Sequence, residues 1–298
     1  MRMHELRRLL ILVLLVPLTL LPRRLAFLAC RGLSRFLMRQ GSPHPGALAP
    51  NLPLALASRY ANSRRGALRQ FEGLMLYDRV LALRAIFIPC WRRRVELEGI
   101  AHLERALAEG RGAVLWVHPC VSSNVGVKQA LAEAGYPLVH LSRPGHGFSA
   151  SRLGVRIVSP LMRRAETPFL AERVVIDDSG SIGPLRQLRR RLAENRVVSI
   201  TVGKSASRVV TVPFLDGGLR LSAGPITLAA GARAALLPVF TWGDPAHPVV
   251  RIGEPLPVRG TKTRDIEECQ RATAVELAGQ ALLHPEYWVG WRQGLYSA

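Results

Sequence analysis

The run Gly110 to Asn124, Gly-Arg-Gly-Ala-Val-Leu-Trp-Val-His-Pro-Cys-Val-Ser-Ser-Asn, sets one histidine at the end of an uninterrupted apolar stretch. Ala113 to Val117 is apolar at every position, the pattern of a strand covered on both faces, and Ser122 to Ala134 reads as a helix opened by Ser/Asn caps. His118 is therefore expected just outside the carboxyl end of a strand, where open α/β sheets keep their chemistry. A positive helix end nearby would disfavour the imidazolium and leave a neutral ring able to take a proton. An ordinary loop histidine fits the same pattern. Cys120, two residues on, has the chemistry of a nucleophile but reads more simply as a small buried hydrophobe.

The elements that must position this histidine alternate along the chain. From Val95 onward, strands are expected at Val95 to Leu97, Ala113 to His118, Leu138 to Leu141, Val174 to Ile176, Val197 to Val202, Val209 to Phe214, Ala235 to Phe240 and Val249 to Ile252. Helical stretches fall between several of them, at Ile100 to Ala108, Gly183 to Glu194, Gly224 to Gly231 and Arg264 to Leu283. The fold class is accordingly α/β, a mixed but mainly parallel sheet flanked by helices, with an antiparallel pair near Val197 to Phe214. Ala55 to Cys90 is helical in composition. Residues 1–45 are expected to be a membrane anchor and 46–298 one α/β body, with 46–93 as a helical lead-in.

At 298 residues the chain is long enough for one large domain. Hydrophobic residues make up 48% of it and the mean hydropathy is +0.14, which implies apolar surface satisfied by something outside the chain, a bilayer first of all. The net charge of +20 is carried by arginine, since Lys128, Lys204 and Lys262 are the only lysines. Such a surface attracts anionic headgroups or acidic carrier proteins. Nucleic acid would be attracted as well, but no recognised module is present and the aliphatic N-terminus speaks against it, so no nucleic-acid partner is expected. Cys30, Cys90, Cys120 and Cys269 are scattered without zinc-site spacing, which points to a reduced, cytosol-facing protein with no metal.

Leu9 to Pro22 carries no charge and is framed by Arg7-Arg8 and Arg23-Arg24, but it is shorter than the ~20 residues that cross a bilayer squarely. An inserted or re-entrant anchor is the expectation. Beyond it Leu25, Phe27, Leu28, Leu33, Phe36 and Leu37 are apolar, while Arg31, Arg35 and Arg39 recur every four residues, as in an interfacial helix with a basic stripe. An amphipathic helix packed on its own domain would show the same spacing. The Tyr287, Trp288 and Trp291 cluster near the C-terminus suits either a membrane interface or a core.

Several pieces stand in a fixed order: Val95 to Ile100 leading into Leu103-Glu104-Arg105-Ala106-Leu107, the strand ending at His118, and Ser142-Arg143-Pro144. They continue with Val212-Pro213-Phe214, Ala223-Gly224-Pro225, Leu237-Pro238-Val239-Phe240, and finally His284-Pro285-Glu286-Tyr287-Trp288 with Trp291-Arg292. In this order they resemble the bacterial lipid A biosynthesis acyltransferase family, the lauroyl/myristoyl transferases and their relatives acting on mannosylated or lysophospholipid acceptors. The resemblance spans about Leu9 to Arg292. The family's catalytic signature is a histidine followed, after four residues, by Asp or Glu; the chain keeps His118 and has Ser123 in the acid's place. An Asp-Gln pair usual in the family is replaced by Val202-Gly203.

The resemblance implies that His118 removes the proton of an acceptor hydroxyl as it attacks an acyl thioester. The family's acid would hold the other ring nitrogen and stabilise the imidazolium; Ser123 can orient but cannot neutralise. A substitute carboxylate is expected from Asp216, ahead of Asp177 and Asp178, because Phe214-Leu215-Asp216-Gly217-Gly218 follows an apolar strand and its glycines let backbone approach a ligand. A plain turn residue is the alternative for Asp216. The match places Arg143 on phosphate or thioester-side oxygens, and Arg220 and Lys204 sit in basic loops that could contact phosphate. No bound cofactor is implied; acyl-carrier-protein or acyl-coenzyme A thioester serves as co-substrate. Membrane lipids and an acyl carrier protein are the expected partners, at the cytoplasmic face of the inner membrane. A catalytically inactive relative that binds lipid or scaffolds other enzymes is the alternative, since the motif acid is missing. No Gly-x-Ser-x-Gly elbow of a lipase occurs; Ser181 lacks the leading glycine.

Overall fold

The computed structural model describes residues 11–39, 64–88, 91–143, 159–176, 182–203 and 208–297. Lys204, Asp177, Asp178, Ser181, Cys90, Pro144 and much of the lead-in lie outside the described residues.

The apolar run in front of His118 becomes β2 (Ala113–Val117), buried at all five positions. Gly112 opens it at φ +66°, where an added Cβ would stand 2.7 Å from the Arg196 carbonyl oxygen, so only glycine fits this entry. β2 lies between β5 (Val197–Thr201) and β8 (Ala235–Trp242), parallel to both, with Ala113 level with Val197 and Ala235. β3 (Leu138–Ser142) and β4 (Leu170–Val175) extend the parallel order beyond β5. On the other side β9 (Val249–Ile252) runs antiparallel to β8 and pairs in parallel with β1 (Glu96–Glu98). The sheet reads β1-β9-β8-β2-β5-β3-β4, mainly parallel as the alternation of elements implies.

Alternate residues of β2 face opposite layers. Val114 and Trp116 pack with Leu188, Ile226, Ala229 and Leu277. These come from α6 (Gly183–Ala193), α7 (Gly224–Ala232) and α8 (Thr263–Leu283). Ala113, Leu115 and Val117 pack on the opposite face with Leu103, Ala106, Val127, Ala130 and Leu131. Those belong to α3 (Ile100–Ala108) and α4 (Ser123–Glu133). Each face of β2 is thus roofed by helices, which is why the run contains no polar residue.

The antiparallel pair lies elsewhere than expected. β5 stays in the parallel sheet, whereas β6 (Val209–Phe214) turns back into β7 (Gly217–Ser222), and β10 (Tyr296–Ser297) completes a separate three-stranded sheet. Gly-Gly-Leu-Arg-Leu-Ser reads as loop by composition, yet Leu219 and Leu221 are buried and Arg220 is exposed, the alternation of a half-covered strand. The hairpin decided the pairing because Leu215 adopts φ +53° and reverses the chain at once.

The N-terminal segment does not form one long apolar rod. Residues 11–15 are helical, a 3-10 turn follows at Pro17–Leu20, and α1 (Arg23–Arg39) begins after a break at Leu21 and Pro22. Pro17 and Pro22 explain the breaks, since each removes a donor and fixes φ. No described helix is long and apolar enough to cross a membrane. α1 packs on α2 (Arg64–Phe87), burying Ala26, Cys30 and Ser34 among Leu76, Tyr77, Val80 and Leu81. The Arg84 guanidinium ties the segment down by donating to the Thr19 carbonyl at 2.7 Å and to that of Leu21. Of the apolar residues on α1, Phe27, Leu33 and Leu37 turn toward this packing, while Leu25, Leu28 and Phe36 remain exposed beside Arg24, Arg31, Arg35 and Arg39. The helix thus packs on its own domain along one flank and leaves the other exposed.

Candidate active site

His118 follows the last residue of β2 and is held there by main chain. Its N–H donates to the Val239 carbonyl of β8 at 2.9 Å, and Val202 N–H donates to the Val117 carbonyl at 2.8 Å. The next residues leave the sheet and pair with the C-terminal segment: Val121 N–H reaches the Tyr287 carbonyl at 2.8 Å, Val289 N–H reaches that of Pro119 at 2.7 Å, and Cys120 bridges Trp288. The histidine loop is thus clamped between the sheet and the aromatic tail.

The His118 ring lies on the α6/α7/α8 side of the sheet, the side of Val114 and Trp116. It stacks on Phe240 with centroids 4.6 Å apart and planes 15° apart, and sits 6.0 Å from the Trp116 ring. Its exposure is 0%, and neither ring nitrogen has a hydrogen-bond partner among the described residues. Burial pushes its pKa down to about 3. The neutral ring expected from sequence is present, but desolvation keeps it neutral rather than a helix terminus.

Phe240 also lines a small depression with enclosed space of only about 10 Å³, whose walls include Cys120, Thr241, Trp242, Leu277, Gln280, Ala281, His284, Tyr287 and Trp288. His284 stacks on Trp242 with planes 4° apart, and Thr241 and Gln280 are the other polar members of the lining. His118 stands one ring behind this depression. The walls are largely apolar, but the space holds about one water and admits an alkyl chain only if the surrounding side chains move. Cys120 is on the wall with its thiol pushed up to about 12, chiefly by burial, so it is protonated near neutral pH and unsuited to act as a nucleophile.

Ser123 shares the loop with His118 but its hydroxyl is spent locally: it donates to the Cys120 carbonyl at 2.8 Å and accepts from the Cys120 N–H at 3.2 Å. The side-chain cap expected of Ser122 is not made either. Ser122 adopts φ 68°, and its hydroxyl donates across to Asp78 Oδ1 of α2 at 2.9 Å. Asp216 occupies the β6–β7 turn, exposed, where the Tyr296 hydroxyl donates to it at 2.5 Å. This carboxylate belongs to the second sheet and has no bond to the His118 ring. Arg220 is exposed on β7, level with Thr211, and Arg143 is exposed at the end of β3. The structure therefore joins His118 with Ser123 on one loop, leaves Arg143 two strands away after the interior strand β3, and sets Asp216 and Arg220 on the hairpin.

Asp78 and Phe240 were not singled out by sequence reasoning. Phe240 was visible only as the end of a strand and of the Leu237-Pro238-Val239-Phe240 piece, and Asp78 only within a stretch helical in composition; nothing local marks either as a neighbour of the histidine loop. Trp288 and Trp291 prove to be core, buried together at 4.2 Å with Phe214 and Tyr296 around them. The membrane-interface alternative is excluded for these two rings by that burial.

Residues 2–293 match the description of bacterial lipid A biosynthesis acyltransferases. The chain is also similar to the phosphatidylinositol mannoside acyltransferase of Mycolicibacterium smegmatis, 28% identical over 65% of this chain and 60% of that protein. Its counterpart in Mycobacterium tuberculosis is 29% identical over 64% of this chain and 56% of that protein. The chain thus spans somewhat over half the length of these relatives. With the match running nearly end to end, the chain belongs to the bacterial lipid A biosynthesis acyltransferase family.

Proposed function

We propose that the protein transfers a fatty acyl chain from an acyl-carrier-protein or coenzyme A thioester to a hydroxyl or amine of a lipid or glycolipid acceptor, with His118 as the general base. The carrying observation is the placement of a neutral His118 at the carboxyl end of the central strand, next to a small, largely apolar depression, in a chain of this family. The relatives' names point to a mannosylated phosphoinositide as one acceptor class. In the reaction the acceptor oxygen bonds to the thioester carbonyl carbon as its proton passes to His118. The C–S bond then breaks, and the departing thiolate takes the proton back. A ring sealed behind Phe240 is a weak base, so the acceptor must reach it and supply the polar partner that it lacks at rest.

Arg143 stays the proposed contact for phosphate or thioester-side oxygens, with Arg220 and Lys204 as secondary contacts. Membrane seating is supported by Val13, Leu14, Leu20, Leu25, Leu28 and Phe36, all exposed, next to the basic stripe of α1. Near an anionic leaflet each such arginine contributes about 1 kcal/mol. We place the protein on the cytoplasmic face of the inner membrane, with 1–45 as its anchor and the rest as the catalytic body.

The second reading, a catalytically inactive lipid-binding relative, draws on the same ring: neither nitrogen has a partner among the described residues, and Ser123 stands in the place of the motif acid. Purified protein supplied with acyl thioester and a panel of lysophospholipids and mannosylated phosphoinositides separates the two. Transfer that falls at least about 100-fold in His118→Ala supports the enzyme. Transfer untouched by that change removes His118 as the base, and no transfer to any acceptor favours the inactive reading.

A further inference from the structure

The loop after His118 is tied to the rest of the molecule by a half-buried carboxylate, Asp78, that no part of the catalytic motif supplies. Asp78 Oδ1, on α2, accepts from the Ser122 hydroxyl at 2.9 Å and from Arg93 Nη1 at 2.5 Å. Arg93 is itself buried, and it donates further to the Asp78 carbonyl at 3.1 Å and to the Pro245 carbonyl, beyond β8, at 3.2 Å. Its own carbonyl accepts from Gln129 of α4, the helix that the histidine loop feeds, at 2.8 Å. One acidic group thereby joins α2, the segment before β1, the histidine loop, α4 and the turn after β8.

Ser122 is the strained point of this arrangement. It is not glycine, yet it holds φ 68°, a left-handed conformation that costs of order 1 kcal/mol and persists only when the surroundings over-determine it. Upstream of it the loop is pinned by the Tyr287 and Pro119 bonds; at Ser122 the side-chain bond to Asp78 joins it to α2. Ser123, the residue in the position of the motif acid, has its hydroxyl engaged with Cys120. At Ser122 itself, the side-chain bond from outside the loop is the one to Asp78.

We propose that Asp78 is a positioning residue of the active site, holding the His118 loop in its strained form through Ser122 and so supplying part of the orientation that the missing motif acid would give. It acts on the loop's geometry and leaves the charge of the ring unbalanced. The proposal rests on the acyltransferase reading for its catalytic consequence and on the hydrogen bonds alone for its structural one.

The test uses the full-length protein with Ser122→Ala, Ser122→Gly, Asp78→Asn, Asp78→Ala and the Asp78→Ala/Ser122→Ala pair. Two readouts are followed: amide hydrogen exchange of the peptide spanning residues 118–126, and acyl transfer separated into kcat and KM. Ser122→Ala removes the tether and keeps the strain, so exchange rises at least five-fold and kcat drops about ten-fold with KM within two-fold. Ser122→Gly also loses the tether but relieves the strain, and recovers a good part of that kcat. Asp78→Asn retains an oxygen acceptor and stays close to wild type, whereas Asp78→Ala matches Ser122→Ala, and the pair loses no more than either alone. Exchange in Ser122→Ala within two-fold of wild type overturns the tether even should Asp78→Ala fail to fold. Independent, multiplying losses in the pair overturn it as well. A wild-type protein with no transfer at all defeats the acyltransferase reading and with it the catalytic role of Asp78, while the exchange measurement still decides the tether.

Discussion

A histidine without a partner is an uncommon thing to bury, and His118 shows what that costs. In the unfolded chain its ring takes a proton near 6.5, whereas burial holds the folded value at about 3. The folded state therefore binds fewer protons across that window, and stability falls as pH drops below 6.5, by about 1.4 kcal/mol per unit for this group. His118→Phe keeps an aromatic ring against Phe240 and removes the proton site. Its urea midpoint is expected to change less than that of wild type between pH 7 and pH 5. A variant that follows the wild-type slope would mean that the ring is charged or solvated in the native protein. Ser123 makes a second residue-scale prediction. Its hydroxyl closes a turn with both main-chain groups of Cys120, so Ser123→Ala is expected to lower stability by about 1–2 kcal/mol, read as a drop of several degrees in Tm.

Between elements, the strongest polar joint lies under α4. Lys128 Nζ and Glu166 Oε2, from α4 and α5 (Ser159–Glu166), meet at 2.6 Å with both side chains buried, and Arg173 of β4 adds a contact at 3.1 Å. Burial pulls the lysine pKa down and the carboxylate pulls it back up. Removing the carboxylate leaves a buried cation facing Arg173, so Glu166→Gln is expected to cost about 3–5 kcal/mol, measurable by denaturant unfolding, and far more than loss of an exposed pair such as Arg190 with Glu194. α1 in turn divides its surface between α2 and the outside. Changing Leu25, Leu28 and Phe36 together to Ser removes exposed apolar side chains only. Binding to vesicles rich in anionic lipid should weaken at least ten-fold with Tm nearly unchanged; undiminished binding would take α1 out of the proposed membrane contact.

Taken as a whole, the molecule is expected to respond to pH through opposed groups, the buried His118 and the half-buried Glu276. Glu276 of α8 is pushed up to about 7, first by burial and then by Glu254, with Arg251 opposing. A carboxyl raised in the folded state binds its proton more tightly there than in the unfolded chain. It thus weakens the fold progressively as pH rises from about 4.5 to 7, which is opposite in sign to His118 over much of that window. Glu276→Gln should raise Tm relative to wild type at pH 8, and the gain should vanish below pH 4.5. Only such differences between variants, not the wild-type profile, separate the two groups.

Much of the framework was legible because it depends on local pattern. A five-residue apolar run, a glycine before it and helical periodicity after it suffice to place His118 at the end of a strand, since a side chain covered on both faces leaves no room for polar residues. Helix limits such as Ile100–Ala108 follow from the same spacing. The β6–β7 hairpin did not announce itself, because glycine-rich strands read as loop until a partner strand covers alternate residues. Nor could spacing reveal that Ser122 bonds to a carboxylate 44 residues earlier, that Asp216 turns toward Tyr296, or that Phe240 closes over the imidazole. Sequence by itself determined the strand, its histidine and the missing acid. Tertiary structure alone decided how dry that histidine is and what holds its loop, because burial and long-range hydrogen bonds depend on which elements meet, and periodicity along one chain carries no record of that.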